Sequence, residues 1–234
     1  MYSVKAEVSD LFSSIQGEGI FVGAKQIFIR FRQCNLACAF CDEPWRHEPR
    51  VFTPAELVAR VKFVELNRGP HHSVSVTGGE PLMHVDFLKV FLKMLRKEGL
   101  QVYLETNGTM PERLAAVIDQ VDIIAMDFKV PSSTGLRSYW DEHRSFLEIA
   151  AEKNVFVKIV VTPSTTEEDI EQSIAIVKHL KKDIPVIFQP VTPLKGHGTP
   201  VETRRLMEFL EIGKRHHVEG IRVIPQIHKM LGVK

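Results

Sequence analysis

The chain has 234 residues, 44% hydrophobic and 25% charged, which suits one soluble domain able to bury a core without staples. Thirty basic against 29 acidic side chains exclude a general electrostatic attraction to nucleic acid or to membrane surfaces. No stretch approaches the roughly 18 uninterrupted apolar residues of a membrane span. Met1 to Asp10 alternates charge and apolarity without the apolar region of a secretory signal, so a cytoplasmic protein is expected.

From Gln26 onward short apolar runs alternate with amphipathic stretches. The first run, Ile27–Phe31, predicts a strand. Thr53-Pro54-Ala55-Glu56 reads as a capping box with proline at the first helical position, opening a helix to about Glu65. Val74–Thr77 predicts the next strand, and Asp86–Glu98 a helix with its stripe at Phe87, Leu88, Val90, Phe91 and Leu95. Strand Val102–Glu105 precedes helix Pro111–Asp119, and strand Ile123–Asp127 precedes helix Trp140–Lys153. Strand Val155–Val161 then leads through a second capping box, Ser164 with Glu167, into helix Thr166–Lys181. Val186–Gln189, helix Val201–His217 and a seventh run, Ile221–Ile224, complete the series. The runs are rich in Val, Ile and Phe and nearly continuous, as strands covered on both faces are. Six βα units predict a parallel sheet with helices outside, in one domain over 1–234 with short N-terminal and C-terminal extensions. Periodicity alone does not separate a doubly wound sheet from a barrel. The position of the unusual residues favours the barrel: they follow the strand C-termini, where parallel barrels carry their chemistry. The expected fold is therefore α/β, a partial (β/α)6 barrel.

The cysteines are the first chemical signal. There are three, an odd number, all within Cys34-Asn35-Leu36-Ala37-Cys38-Ala39-Phe40-Cys41. A disulfide framework needs pairs, whereas soft thiolates at close spacing suit an iron–sulfur cluster or zinc. Three cysteines leave one iron of a four-iron cluster without a protein ligand. A zinc site of the three cysteines with His47 uses the same donors. The second signal is Thr77-Gly78-Gly79-Glu80-Pro81, where two glycines after a strand permit close backbone approach to a ligand.

The Cx3Cx2C spacing followed by Gly-Gly-Glu-Pro one βα unit later resembles the radical S-adenosylmethionine (SAM) superfamily. That resemblance implies a 4Fe–4S cluster on Cys34, Cys38 and Cys41 whose open iron binds SAM. It also implies SAM contacts from Gly78, Gly79 and Glu80, and Phe40 beside the adenine. Asn107, Ser132 and Gln189, at strand ends, are candidates for the ribose and carboxylate of SAM.

A narrower resemblance spans nearly the whole chain. Phe12-Ser13-Ser14-Ile15-Gln16-Gly17-Glu18-Gly19, Phe28-Ile29-Arg30-Phe31, Leu104-Glu105-Thr106-Asn107-Gly108-Thr109, Met126 to Gly135, Gln189 to Pro193 and Pro225-Gln226-Ile227-His228-Lys229 are similar to the 7-carboxy-7-deazaguanine synthase (QueE) family of 7-deazapurine biosynthesis. The resemblance implies that 6-carboxy-5,6,7,8-tetrahydropterin rearranges to 7-carboxy-7-deazaguanine with loss of ammonia, SAM being regenerated. A carboxylated pterin needs a cation and hydrogen-bond acceptors. Arg30 would supply the planar fork, and Glu18 would accept from ring nitrogens. Gln16, Thr77, His228 and the carboxylate of Lys234 complete the implied substrate contacts. Asp127 and Lys129 read as a strand-end ion pair, and Trp45 and Trp140 as packing residues. The family's Mg2+ is held by a hydroxyl after the Cys-Asp pair. Here the residues are Cys41-Asp42-Glu43-Pro44, so Glu43 is either an oxygen ligand to Mg2+ or turned away. Expected partners are the pterin and a reductant protein such as flavodoxin or ferredoxin; a homodimer is compatible with the sequence. An activase that installs a glycyl radical on a partner protein shares the cysteine motif, and a zinc-binding module is the non-enzymatic alternative.

Overall fold

The structure is a computed structural model, and it describes residues 4–43, 48–180, 182–193 and 199–233. His47, Trp45 and Lys234 lie outside the described residues.

Nine strands form one sheet in the order β3-β1-β2-β4-β5-β6-β7-β8-β9. The parallel run is β2 (Lys25–Phe31), β4 (Ser73–Gly78), β5 (Val102–Thr106), β6 (Ile123–Phe128), β7 (Asn154–Val161) and β8 (Val186–Pro190), continued by the short β9 (Arg222–Val223). These are the six predicted strands and the seventh. Helices α1 (Pro54–Arg68), α2 (Val85–Lys97), α3 (Pro111–Ala115), α5 (Trp140–Ala150), α6 (Glu167–His179) and α7 (Thr203–Arg215) follow them in turn. A four-residue helix, α4 (Pro131–Thr134), follows β6, and α8 (Ile227–Leu231) ends the chain.

Two strands escaped the pattern reading. β1 (Ala6–Ile15) pairs antiparallel with β2 and with β3 (Arg50–Phe52). Its second half, Phe12-Ser13-Ser14-Ile15, is only partly buried and breaks strict alternation. The predicted box at Thr53 is made: Glu56 N donates to Thr53 Oγ1 at 3.4 Å, and Thr53 N to Glu56 Oε2 at 2.8 Å. The predicted box at Ser164 is not. The cap of α6 is Thr166, which accepts from Asp169 N at 3.3 Å, while Ser164 Oγ donates to the Ser132 carbonyl at 2.9 Å. Helix α3 ends four residues before the predicted Asp119, giving way to a 3-10 turn over Ile118–Gln120.

Period-2 alternation positions the site. One face of the parallel strands packs under the helices through residues such as Val76, Leu104, Ile124, Val157 and Phe188. On the other face Tyr103, Ala125, Phe156 and Ile187 form a small apolar layer, closed at the strand N-termini by Ile20 and Phe21. Two residues further along the same strands, still on that face, stand Glu105, Asp127, Lys158 and Gln189. One sheet face is thus apolar at its base and polar at the C-terminal rim. Trp140 packs against the outer core, as expected.

Candidate active site

A cavity of about 770 Å³ opens above the polar layer. The cysteine loop, the Gly78-Gly79 turn, the 16–18 turn and α8 enclose it. Of the residues assigned from the sequence to the cluster, SAM, the substrate or Mg2+, all line it except Glu80, Ser132 and the undescribed Lys234.

The three cysteines are free; Cys38 is half-buried and the other two are exposed. Their loop is tied down by Ala39 N donating to Thr134 O at 2.9 Å and by Asn107 Nδ2, which donates to Asn35 Oδ1 at 2.8 Å and lies 4.0 Å from Cys34 Sγ. Leu36 N lies 3.4 Å from the same sulfur. Burial pushes the Cys34 and Cys38 thiols up, so the thiolates of this loop call for a bound cation. Soft donors, a fixed loop and an adjacent cavity fit an iron–sulfur cluster.

Gly78 has φ +126°, and a Cβ there would stand 2.2 Å from Phe31 O; only glycine fits where this turn crosses β2. Glu80 corrects an expectation. Its carboxylate is fully buried and accepts from Leu82 N at 3.0 Å, Thr106 Oγ1 at 2.9 Å and Asn107 N at 2.7 Å. It is a brace between two strand-end turns, and the backbone of Gly78 and Gly79 is what faces the cavity. Ser132 is corrected likewise: its N and Oγ both bond Asp169 Oδ2, fastening α4 to α6, and Ser133 lines the cavity instead. Gln189 lines the cavity and is buried, and its Oε1 has no hydrogen-bond partner among the described residues. Phe40 is a cavity wall, with Lys129 Nζ 5.5 Å from its ring centroid and 2.9 Å from Asp127 Oδ2.

At the other end of the cavity, Gln16 donates to Gln26 Oε1 at 3.0 Å and to Glu105 Oε1 at 2.9 Å, and accepts from Glu18 N at 3.0 Å. Thr77 Oγ1 donates to Glu105 Oε2 at 3.0 Å. Gln16 and Thr77 are therefore engaged within the protein, and Glu105 gathers them. Glu18 bonds Lys158 Nζ and accepts from Gln226 Nε2 at 2.9 Å. Burial alone would raise its carboxyl; the Lys158 ammonium holds it well below the usual carboxylate range. Arg30 and Glu43 form an ion pair, with the guanidinium 5.7 Å from the Phe12 centroid. Asp42 accepts from Lys229 and, at 3.1 Å, from Gln226. Sequence reasoning passed over Glu105, Lys158 and Gln226 as site residues, although a lone charge inside Val-Phe-Val-Lys-Ile-Val-Val is itself a signal.

A model of the radical SAM superfamily matches residues 28–177. A 7-carboxy-7-deazaguanine synthase of Geobacter sulfurreducens is 43% identical over 97% of this chain and 97% of its own. One from Methanothermobacter thermautotrophicus is 33% identical over the full length of both. The chain belongs to the 7-carboxy-7-deazaguanine synthase family. In fold it resembles the crystal structure of QueE from Escherichia coli, with a TM-score of 0.64 and 20% identity over 95% of this chain and 94% of that one.

Membership of this family, within the radical SAM superfamily, implies a 4Fe–4S cluster and SAM as cofactors, and it overrides the zinc-module reading. The terminal stretch, through Gln226, His228 and Lys229, lines the cavity from α8. Ile227 N donates to Gly17 O at 2.9 Å, and a Cβ on Gly17 would fall 2.3 Å from His228 Nδ1 and 2.6 Å from His228 N. Gly17→Ala is therefore expected to lift α8 off the 16–18 turn. Amide exchange at Ile227 should accelerate while the melting temperature holds; unchanged exchange would mean that the contact does not hold the segment. Among the described residues no helix is long and apolar enough to cross a membrane.

Proposed function

We propose that the protein converts 6-carboxy-5,6,7,8-tetrahydropterin to 7-carboxy-7-deazaguanine and ammonia, using a 4Fe–4S cluster on Cys34, Cys38 and Cys41 and SAM in the cavity above β4 to β8. The observation that carries this reading is one cavity lined both by a three-thiol loop and by an Arg30 and Glu18 suited to a carboxylated, N–H-rich ring. When bound, the cluster and SAM supply one-electron cleavage and hydrogen-atom abstraction. The electron comes from a reductant protein such as flavodoxin or ferredoxin.

The chain's own residues bind and orient. Gly78 and Gly79 give SAM a close backbone surface, Gln189 Oε1 accepts from it, and Phe40 walls its adenine. Asn107, held by Glu80, Asn35 and Thr109, fixes the cysteine loop against this end. Glu18 accepts from pterin N–H groups, since each of its oxygens keeps an unused lone pair beyond the bonds to Lys158 and Gln226. Arg30 receives the substrate carboxylate, and His228 borders the same pocket from α8. The reaction is tested by anaerobic incubation with SAM, dithionite and the carboxypterin. Formation of the deazaguanine with release of ammonia is expected; SAM cleavage without it would refute the substrate assignment.

The donor set does not fit the family's divalent ion as it stands. Glu43 is neutralised by Arg30 and Asp42 by Lys229. Glu43 instead lies on the cation that the substrate carboxylate needs. Glu43→Gln is expected to strengthen binding of pterin-6-carboxylate, because an internal competitor for Arg30 is lost. Chelator-stripped wild type should bind it undiminished. A loss on stripping that Mg2+ restores, in wild type and not in Glu43→Gln, would instead make Glu43 a metal ligand.

A further inference from the structure

Lys158 stands in mid-β7 between Val157 and Ile159, both fully buried. A lysine is seldom buried unless paired, and this one is 6% exposed. Its ammonium bonds Glu18 and lies 3.2 Å from Asp127 Oδ1. Asp127 in turn takes Lys129 on its other oxygen at 2.9 Å. The four side chains form an alternating row, Glu18–Lys158–Asp127–Lys129, across the cavity floor. It runs from the 16–18 turn to the wall formed by Phe40. Glu18 sits at the end of the turn that follows β1. Its carboxylate is kept in place by Lys158 from one side and Gln226 from the other.

We propose that Lys158 is a positioning residue: anchored on Asp127, it holds the Glu18 carboxylate as a charged acceptor turned toward the N–H groups of the substrate ring. The assignment rests on the pterin reading above. The ion pair with Asp127 opposes movement of the ammonium with the acid. A neutral side chain at 158 would leave Glu18 among low-dielectric walls without its counter-charge, and such a carboxyl takes up a proton. The titratable and charged groups around Glu18 are Lys158 and Asp127, Tyr103 and Glu105 of β5, Asp42 of the cysteine loop and His228 of α8. Of these only Lys158 is a cation bonded to it.

The test is binding of pterin-6-carboxylate, followed by its fluorescence from mildly acidic to mildly alkaline pH, in wild type, Lys158→Met, Lys158→Arg and Lys158→Met/Glu18→Gln. Lys158→Met should bind progressively more weakly than wild type as pH falls, about tenfold per pH unit below the raised Glu18 pKa, and converge with it as pH rises. Lys158→Arg should restore the wild-type profile. The double variant should bind weakly with no added pH dependence, because the titrating group is gone. Lys158→Met with the wild-type affinity and profile, or with a uniform loss at every pH, would overturn the assignment. If Lys158→Met does not fold, recovery of folding in the double variant supports it; a double variant that also stays unfolded would give the lysine to the sheet alone. Wild type that fails to bind the ligand would instead sink the pterin reading, and this assignment with it.

Discussion

Cys34→Ala, Cys38→Ala and Cys41→Ala are each expected to abolish SAM cleavage, a loss of several orders of magnitude, while leaving the fold intact. In the proposed site each thiolate holds one iron, and no other soft donor among the described residues lines the cavity to replace it. The fold should not suffer, because the loop contributes no side chain to the buried core. Substitutions at such positions usually stay within about 0.5 kcal/mol. The measurement is iron and sulfide content after anaerobic reconstitution, together with the visible charge-transfer absorption and methionine release from SAM. Circular dichroism on the same samples checks the fold. Iron retained with full cleavage in any one variant would overturn the cluster assignment. Loss of helical signal together with iron would instead show that the loop is structural.

The cysteine loop was legible because its chemistry is local: eight residues carry all the thiols, and their spacing needs no fold to interpret. The parallel strands were legible for a related reason. Val-Ile-Phe runs buried on both faces announce themselves without knowledge of their neighbours. β1 did not, because it is an antiparallel flank with partly exposed serines, and only its pairing with β2 makes it a strand. The site's polar layer falls between these cases. Glu105, Asp127, Lys158 and Gln189 are separated by about 20 to 30 positions in the chain, yet each lies two residues beyond an apolar residue of the inner face. Alternation could have placed them on one face, and a lone lysine in a run of valines could have marked the layer as functional. What alternation could not supply is which partner each would take. The Lys158–Glu18 bond joins residues 140 apart, and Gln226–Glu18 residues 208 apart.

Glu80 shows how a motif can point to the right place and the wrong atom. The resemblance offers its carboxylate to SAM; in the fold three donors from two turns converge on it, and His143 Nε2 bonds Asn107 O at 3.2 Å from the opposite side. Glu80→Ala removes the acceptor of three buried groups at once. With each unsatisfied group costing about 1–3 kcal/mol, the variant is expected to lose about 3 kcal/mol or more. That corresponds to a fall of roughly 6–12 °C in melting temperature for a chain of this size. SAM binding should weaken with it, through the released Asn107 and the cysteine loop. The pH dependence separates this brace from a simple cavity. Burial pushes the Glu80 carboxyl up to about 7, against an ordinary value of 4.5. The native protein therefore holds a proton that the unfolded chain has released between those values, so this group's contribution to stability is full at low pH and declines as pH rises toward 7. Glu80→Gln cannot titrate and should flatten that part of the stability–pH curve. It should also be less stable than wild type at the low-pH end, since its amide nitrogen cannot accept from the donors that face it, and the gap should narrow as pH rises. Thermal melts of wild type, Glu80→Ala and Glu80→Gln across this range give the result. If the slope persists in Glu80→Gln, another group carries it. If Glu80→Ala melts with wild type, Glu80 is not the brace, and a direct contact with SAM becomes its remaining role.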